Sequence, residues 1–133
     1  MEKLIYSAIV TPDGTLLVSR HRHDYKQHKD KNGETYFLDG GTDYIRTSVN
    51  KEEAKSIHIF DNDPHEIIRE YLERGGRGKG GKQELKYVLL KDIDDDWLEA
   101  IIAYEKKHRP NNPYLKHYVN EQNYRRQVKQ DTL

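Results

Sequence analysis

The sequence predicts an α+β fold, with an N-terminal antiparallel β-sheet packed with about three helices. Three observations lead there. Short β-branched and aromatic runs fill the first sixty or so positions, a strong turn signal separates the first two runs, and helical periodicity begins near Asp63.

Leu4 to Val10 (Leu-Ile-Tyr-Ser-Ala-Ile-Val) reads as a strand, and Thr15 to Ser19 as its hairpin partner. Between them, in Thr11-Pro12-Asp13-Gly14, proline presets one turn dihedral and glycine accepts the positive φ of a tight turn. The second strand continues without a break signal into Arg20-His21-Arg22-His23-Asp24-Tyr25. A loop from Lys26 to Glu34 follows, closed by the turn Lys31-Asn32-Gly33. Thr35-Tyr36-Phe37-Leu38 reads as a third strand, interrupted by Asp39-Gly40-Gly41 and resumed from Thr42 to Val49. Ser56 to Phe60 reads as a short edge strand.

Asp63 as a cap, Pro64 at the first helical position and Glu66 three residues after the cap predict a first helix. Ile67, Ile68, Tyr71 and Leu72 recur at helical spacing, and Gly75-Gly76 ends the pattern. Arg74 to Lys82 is glycine-rich and basic and reads as a mobile flap, followed by a strand from Leu85 to Leu90. Asp94-Asp95-Asp96 opens a second helix, its charges suiting the positive end of the helix dipole. Leu98, Ile101, Ile102 and Glu105 mark the register, and Pro110 stops it. Pro113 permits a third helix with Leu115, Tyr118, Val119 and Gln122 on one face, and Lys129 to Leu133 are expected to fray. With neither repeat nor linker, residues 1–133 read as one α+β domain.

Composition narrows the class. Only 34% of residues are hydrophobic, 35% are charged, and the mean hydropathy is −1.09. Yet 23 basic residues offset 23 acidic ones and there are ten tyrosines, which is not a signature of disorder. The expectation is a thin core finished by tyrosines, or a fold completed by a second copy as a homo-oligomer. Zero net charge argues against general nucleic-acid binding. The absence of cysteine excludes disulfides and Cys-ligated zinc. No signal peptide is visible, and no apolar run approaches the ~20 residues of a membrane span.

Two segments concentrate polar chemistry. On a strand His21 and His23 share a face with Tyr25 beyond, while Arg20, Arg22 and Asp24 point the other way. Histidines so spaced hold or protonate a phosphate oxygen. As metal ligands they lack a third partner fixed by local spacing, and His28, in a loop, brings no geometric promise; no metal site is assigned and no cofactor is expected, a divalent metal being the weaker option. The bland alternative is a charged strand facing solvent. In Asp39-Gly40-Gly41-Thr42-Asp43-Tyr44-Ile45-Arg46, paired glycines mark a bulge or a close approach by another backbone or ligand. Arg46 offers bidentate recognition of phosphate, and Asp43 could orient a histidine. Here the bland alternative is an Asp-Gly-Gly turn whose aspartate caps its own backbone. If the segments lie side by side, Arg20, His21, His23, Tyr25, Asp39, Asp43, Tyr44 and Arg46 form a ligand site, with Arg77 and Lys79 of the flap closing over an anion. The flap is not a P-loop, because its helix precedes the glycines and its strand follows. His58, His65, His108 and His117 receive no role.

Ser19-Arg20-His21-Arg22-His23-Asp24-Tyr25, Asp39 to Arg46, and Leu85-Lys86-Tyr87-Val88-Leu89-Leu90-Lys91-Asp92 together resemble a family of small proteins of tailed bacteriophages. The resemblance spans most of the chain. It implies a phage accessory protein acting in the cytoplasm of the infected bacterium, and by analogy a counter-defence role, but it brings no reaction and no assigned site residues. The expected partner is a small anionic ligand, a nucleotide foremost, with no membrane. The alternatives are a phosphodiesterase-like hydrolase using His21, His23 and Asp43, and an inhibitor that grips a host protein through the last two helices.

Overall fold

The computed structural model describes residues 3–48 and 54–131. The chain is α+β and divides into two compact units, Met1–Asp63 and Pro64–Leu133.

The first unit is all β. Strand β1 (Leu4–Val10) is central in a three-stranded antiparallel sheet, flanked by β2 (Leu16–Ser19) and β6 (Lys55–Phe60). The hairpin between β1 and β2 closes at the expected turn: the Gly14 N–H donates to the Thr11 carbonyl, and Gly14 sits at φ 91°. β6 is the edge strand that Ser56 to Phe60 announced. A second antiparallel sheet orders β3 (Lys26–Lys29), β4 (Thr35–Asp39) and β5 (Arg46–Thr47). Ile9, Leu17, Tyr36 and Leu38 form the core cluster, with Ala54 against it. Tyr36 is buried with its hydroxyl accepting from Asn32 Nδ2, so a tyrosine does finish this core.

Three expectations fail in this unit. Arg20 to Tyr25 does not prolong β2 but folds into a turn, because the Asp24 carboxylate and backbone satisfy the turn's own donors. Lys26 to Glu34 is not a loop; Lys26–Lys29 pairs with Thr35–Leu38, and only Asp30 to Glu34 turns. A four-residue polar strand has no apolar alternation to reveal it, so cross-strand pairing alone defines β3. The strand expected from Thr42 to Val49 shrinks to Arg46–Thr47, since residues 41 to 43 belong to a turn; Val49 lies outside the described residues.

The second unit carries the helices: α1 (His65–Tyr71), α2 (Asp95–His108) and α3 (Leu115–Asp131), with a two-stranded sheet of β7 (Glu73–Gly76) and β8 (Lys86–Leu89). Helix α2 follows its sequence signals closely. Asp94 Oδ1 accepts the Trp97 N–H at 2.8 Å, Asp95 and Asp96 occupy the first turn, and Lys106, Lys107 and His108 the last. Leu98, Ile101, Ile102 and Glu105 are its buried face.

Helix α1 departs from expectation at both ends. Pro64 stands at the cap position, and the Asp63 carboxylate instead accepts the Phe60 N–H, closing the turn before the helix. Gly75-Gly76 does not end the helix; it lies in β7, and the helix stops at Leu72. Of the expected α3 face of Leu115, Tyr118, Val119 and Gln122, Tyr118 is buried and the others are half-buried; His117 and Glu121, whose carboxylate pairs with Arg69 and Arg125, are buried beside it.

Candidate functional site

Two turns laid backbone to backbone build the candidate site. In the first, Asp24 Oδ2 accepts the Arg20 N–H at 2.8 Å, the Asp24 N–H donates to the His21 carbonyl, and His23 takes a left-handed φ of 64°. Burial pushes the Asp24 carboxyl up, but the Arg20 N–H and the Lys26 ammonium, 3.0 Å away, outweigh it and hold it below its ordinary value. In the second, Gly40 and Gly41 adopt φ of 105° and 56°, and Asp39 Oδ1 accepts the Gly40 N–H.

Ser19 joins the turns. Its buried hydroxyl accepts the Gly41 N–H at 2.7 Å and donates to the Asp24 carbonyl at 2.7 Å. A Cβ built on Gly41 would stand 2.4 Å from the His21 carbonyl carbon, so the close approach foreshadowed by the paired glycines is that of the histidine turn.

The side chains this brings together centre on Asp39. Tyr44 donates its hydroxyl proton to Asp39 Oδ2 at 3.3 Å, and Arg46 Nη2 donates to the same oxygen at 3.1 Å. With its one proton directed to Asp39, the Tyr44 oxygen accepts from His23 Nδ1 at 2.9 Å, which sets the histidine tautomer. The Arg22 guanidinium lies 5.9 Å from the Tyr44 ring centroid, with Nη1 3.9 Å from Asp43 Oδ2. Tyr25, exposed, stacks on Phe37 at 5.4 Å, and the Arg46 guanidinium sits 5.4 Å from the same Phe37 ring.

His23, Asp39, Tyr44 and Arg46 therefore share one patch, with Asp43 at its rim and Tyr25 beside Phe37. His21 does not join them on the shared strand face that alternation implied. In the turn its Nδ1 donates to the Arg22 carbonyl, and Nε2 lies 3.9 Å from Asp24. Arg22, assigned by alternation to the opposite face, instead reaches Tyr44, and Asp43 faces Arg22 rather than a histidine. Arg20 contributes its backbone N–H to Asp24.

Arg77 and Lys79 belong to the second unit, in the connection between β7 and β8. That connection closes on itself through Gln83 N–H to the Arg77 carbonyl and Gly81 N–H to the Gly78 carbonyl. Arg74 is no part of a flap: it lies in β7, and its Nη1 donates to Glu105 Oε1 at 3.0 Å and to the Tyr118 hydroxyl.

A second polar cluster in the first unit escaped the sequence reading. Asp13 at the β1–β2 turn, His28 on β3 and Asp30 at the β3–β4 turn converge, with one donor atom from each within 4.8 Å of the others. His28 Nε2 is 2.9 Å from Asp13 Oδ2 and 3.9 Å from Asp30 Oδ1. Asp13 Oδ1 accepts from the Thr11 and Thr15 hydroxyls, both at 2.7 Å, and from the Thr15 N–H. Asp30 Oδ1 accepts the Asp13 N–H at 3.1 Å. The hydrogen bond to His28, then those from Thr11 and Thr15, hold the Asp13 carboxyl far below the ordinary carboxylate range. The available signals were Thr11-x-Asp13-x-Thr15 and His28-x-Asp30, but only the meeting of two hairpin tips gives them a shared meaning.

In the second unit two buried glutamates organise the helices. Glu121 receives Arg69 through Nε and Nη2 at 2.9 and 3.0 Å, Arg125 Nε at 2.7 Å and His65 Nε2 at 3.0 Å. Glu105 receives Arg74, Arg109 and Asn112 Nδ2. Burial alone raises both carboxyls; the converging donors more than reverse it and leave both below their ordinary values. Arg69 and His65 tie Glu121 to α1, and Arg74 ties Glu105 to β7, so these clusters join the elements of the unit.

No family model, curated protein or solved structure matches the chain. Among the described residues no helix is long and apolar enough to cross a membrane.

Proposed function

We propose that this chain is a phage accessory protein that binds and sequesters a small phosphorylated ligand, a nucleotide, on the patch of Arg22, His23, Tyr44 and Arg46, as a counter-defence device in the host cytoplasm. The observation that carries this reading is the chain of hydrogen bonds from His23 through Tyr44 to Asp39 and Arg46. It orients an imidazole and a guanidinium beside one another; the guanidinium presents the donors that recognise phosphate oxygens, and the imidazole, its Nδ1 proton spent on Tyr44, leaves Nε2 as an acceptor for a ligand hydroxyl. Arg22 adds a second guanidinium at the rim. Tyr25, stacked on Phe37 with its ring exposed, supplies an aromatic surface for a base.

The geometry favours holding over cutting. Acid–base catalysis by His21 and His23 needs both rings aimed at one reacting group. Instead each ring spends Nδ1 on a different neighbour, the Arg22 carbonyl for His21 and the Tyr44 hydroxyl for His23. The zero net charge of the chain fits recognition by local donors rather than by a general cationic surface.

Calorimetry against a panel of cyclic and linear nucleotides, with inorganic phosphate alongside, tests the proposal. One or more nucleotides should bind, and Arg46→Ala should weaken them by about 10–100-fold, the worth of a charge-assisted hydrogen bond. Tyr25→Ala should weaken nucleotides while leaving phosphate unchanged. The nucleotide should be recovered intact when the complex is denatured. A flat response across the panel ends the proposal.

A further inference from the structure

We infer that Asp13, His28 and Asp30 form a binding site for a single first-row divalent transition ion such as Mn2+ or Zn2+. The site is separate in its residues from the proposed ligand patch.

One donor from each of the three side chains already lies within reach of a common point. An ion held at about 2.1 Å by each ligand needs donors roughly 3–4 Å apart. The separations from His28 Nε2 are 2.9 Å to Asp13 Oδ2 and 3.9 Å to Asp30 Oδ1. Small side-chain adjustments would seat the ion without moving the backbone.

The surroundings suit a cation. Both carboxylates are nearly sealed from solvent, with side chains 8% and 2% exposed. Both carboxylates converge on the one imidazole, and a shared cation would answer both at once where the His28 hydrogen bond answers Asp13. Thr11 and Thr15 direct their hydroxyls at Asp13 Oδ1, which fixes the carboxylate and leaves Oδ2 aimed at His28. Such outer hydrogen bonds are the usual support of a ligating carboxylate. One imidazole with two carboxylates suits Mn2+ or Zn2+ better than Ca2+, which prefers six to eight oxygens. Three protein ligands leave further positions open to water.

Calorimetric titration of the full chain with MnCl2 and with ZnCl2 at neutral pH should show one ion per chain. His28→Gln should abolish that binding, whereas the double change His21→Gln/His23→Gln should leave it intact. Thr15→Val should weaken it by about 10–100-fold, as loss of an outer-shell hydrogen bond does. Because His28→Gln also removes a structural hydrogen bond, a second measurement uses the unaltered protein. Substoichiometric Mn2+ should broaden the NMR signals of the His28 ring before those of any other histidine. Absence of one-to-one binding, binding that survives His28→Gln, or broadening centred on another histidine would each overturn the inference.

Discussion

At the residue scale, two small side chains decide the candidate ligand patch. Ser19 sits at the end of a strand with its hydroxyl bridging two turns, and Gly41 lets those turns approach. Gly41 and Gly33 both have positive φ, yet they differ in surroundings. A Cβ at Gly33 meets nothing within 4 Å, whereas one at Gly41 meets the backbone of His21. Gly33→Ala should therefore cost only the left-handed backbone penalty, about 1–2 kcal/mol. Gly41→Ala must in addition push one turn off the other and should cost several kcal/mol, with loss of nucleotide binding. Urea denaturation of both variants checks this; equal costs would show that the turns are not in contact.

At the element scale, the second unit depends on charges buried between helices. Glu121 on α3 is fully buried and receives Arg69 from α1 and Arg125 from its own helix. Arg125 also donates to the Leu90 carbonyl and to Asp95 at the start of α2. Removing the negative charge strands the guanidiniums where solvent does not reach them well. Glu121→Gln should destabilise the protein by about 3–5 kcal/mol, the usual cost of breaking a buried pair. That is a large fraction of the roughly 5–15 kcal/mol typical of a whole domain. Chemical denaturation followed by far-ultraviolet circular dichroism measures it, and a loss below about 1 kcal/mol, the range of surface pairs, would mean the network is solvated.

At the scale of the whole molecule, the same carboxylates set the response to acid. Glu105 and Glu121 both titrate below the ordinary value of 4.5, since the hydrogen bonds they receive, from Asn112, Arg74 and Arg109 at Glu105 and from Arg69, Arg125 and His65 at Glu121, outweigh burial. Groups depressed on folding contribute stability that is fully present above the unfolded value and is lost as pH falls through the folded one. Thermal stability should thus be insensitive to these groups above about pH 5 and fall steeply below about pH 4. The double change Glu105→Gln/Glu121→Gln, if it still folds, should flatten that acid limb while lowering stability at neutral pH. His58 adds a gentler slope: burial lowers its value from 6.5, so its contribution declines as pH falls below that point. Melting temperatures recorded across an acid pH series test both slopes.

How much of this was legible depends on how local the cause is. The turn at Thr11 to Gly14, the cap at Asp94, the buried face of α2 and the α+β class all rest on neighbours within a few positions, and the residues themselves determined them. The fate of Arg20 to Tyr25 was not legible, because Asp24 turning back on Arg20 competes with strand extension and wins only when Ser19 meets Gly41 twenty-two positions away. For the same reason Lys26 to Glu34 reads locally as a loop and Asp13, His28 and Asp30 carry no shared local signal, whereas the α1 cap is lost to a near neighbour, the Phe60 N–H that Asp63 accepts. By itself the sequence determined the α+β class and where the polar segments lie; only the tertiary structure decided which side chains meet, because a side chain's partners across two hairpins depend on pairing and register that no local pattern encodes.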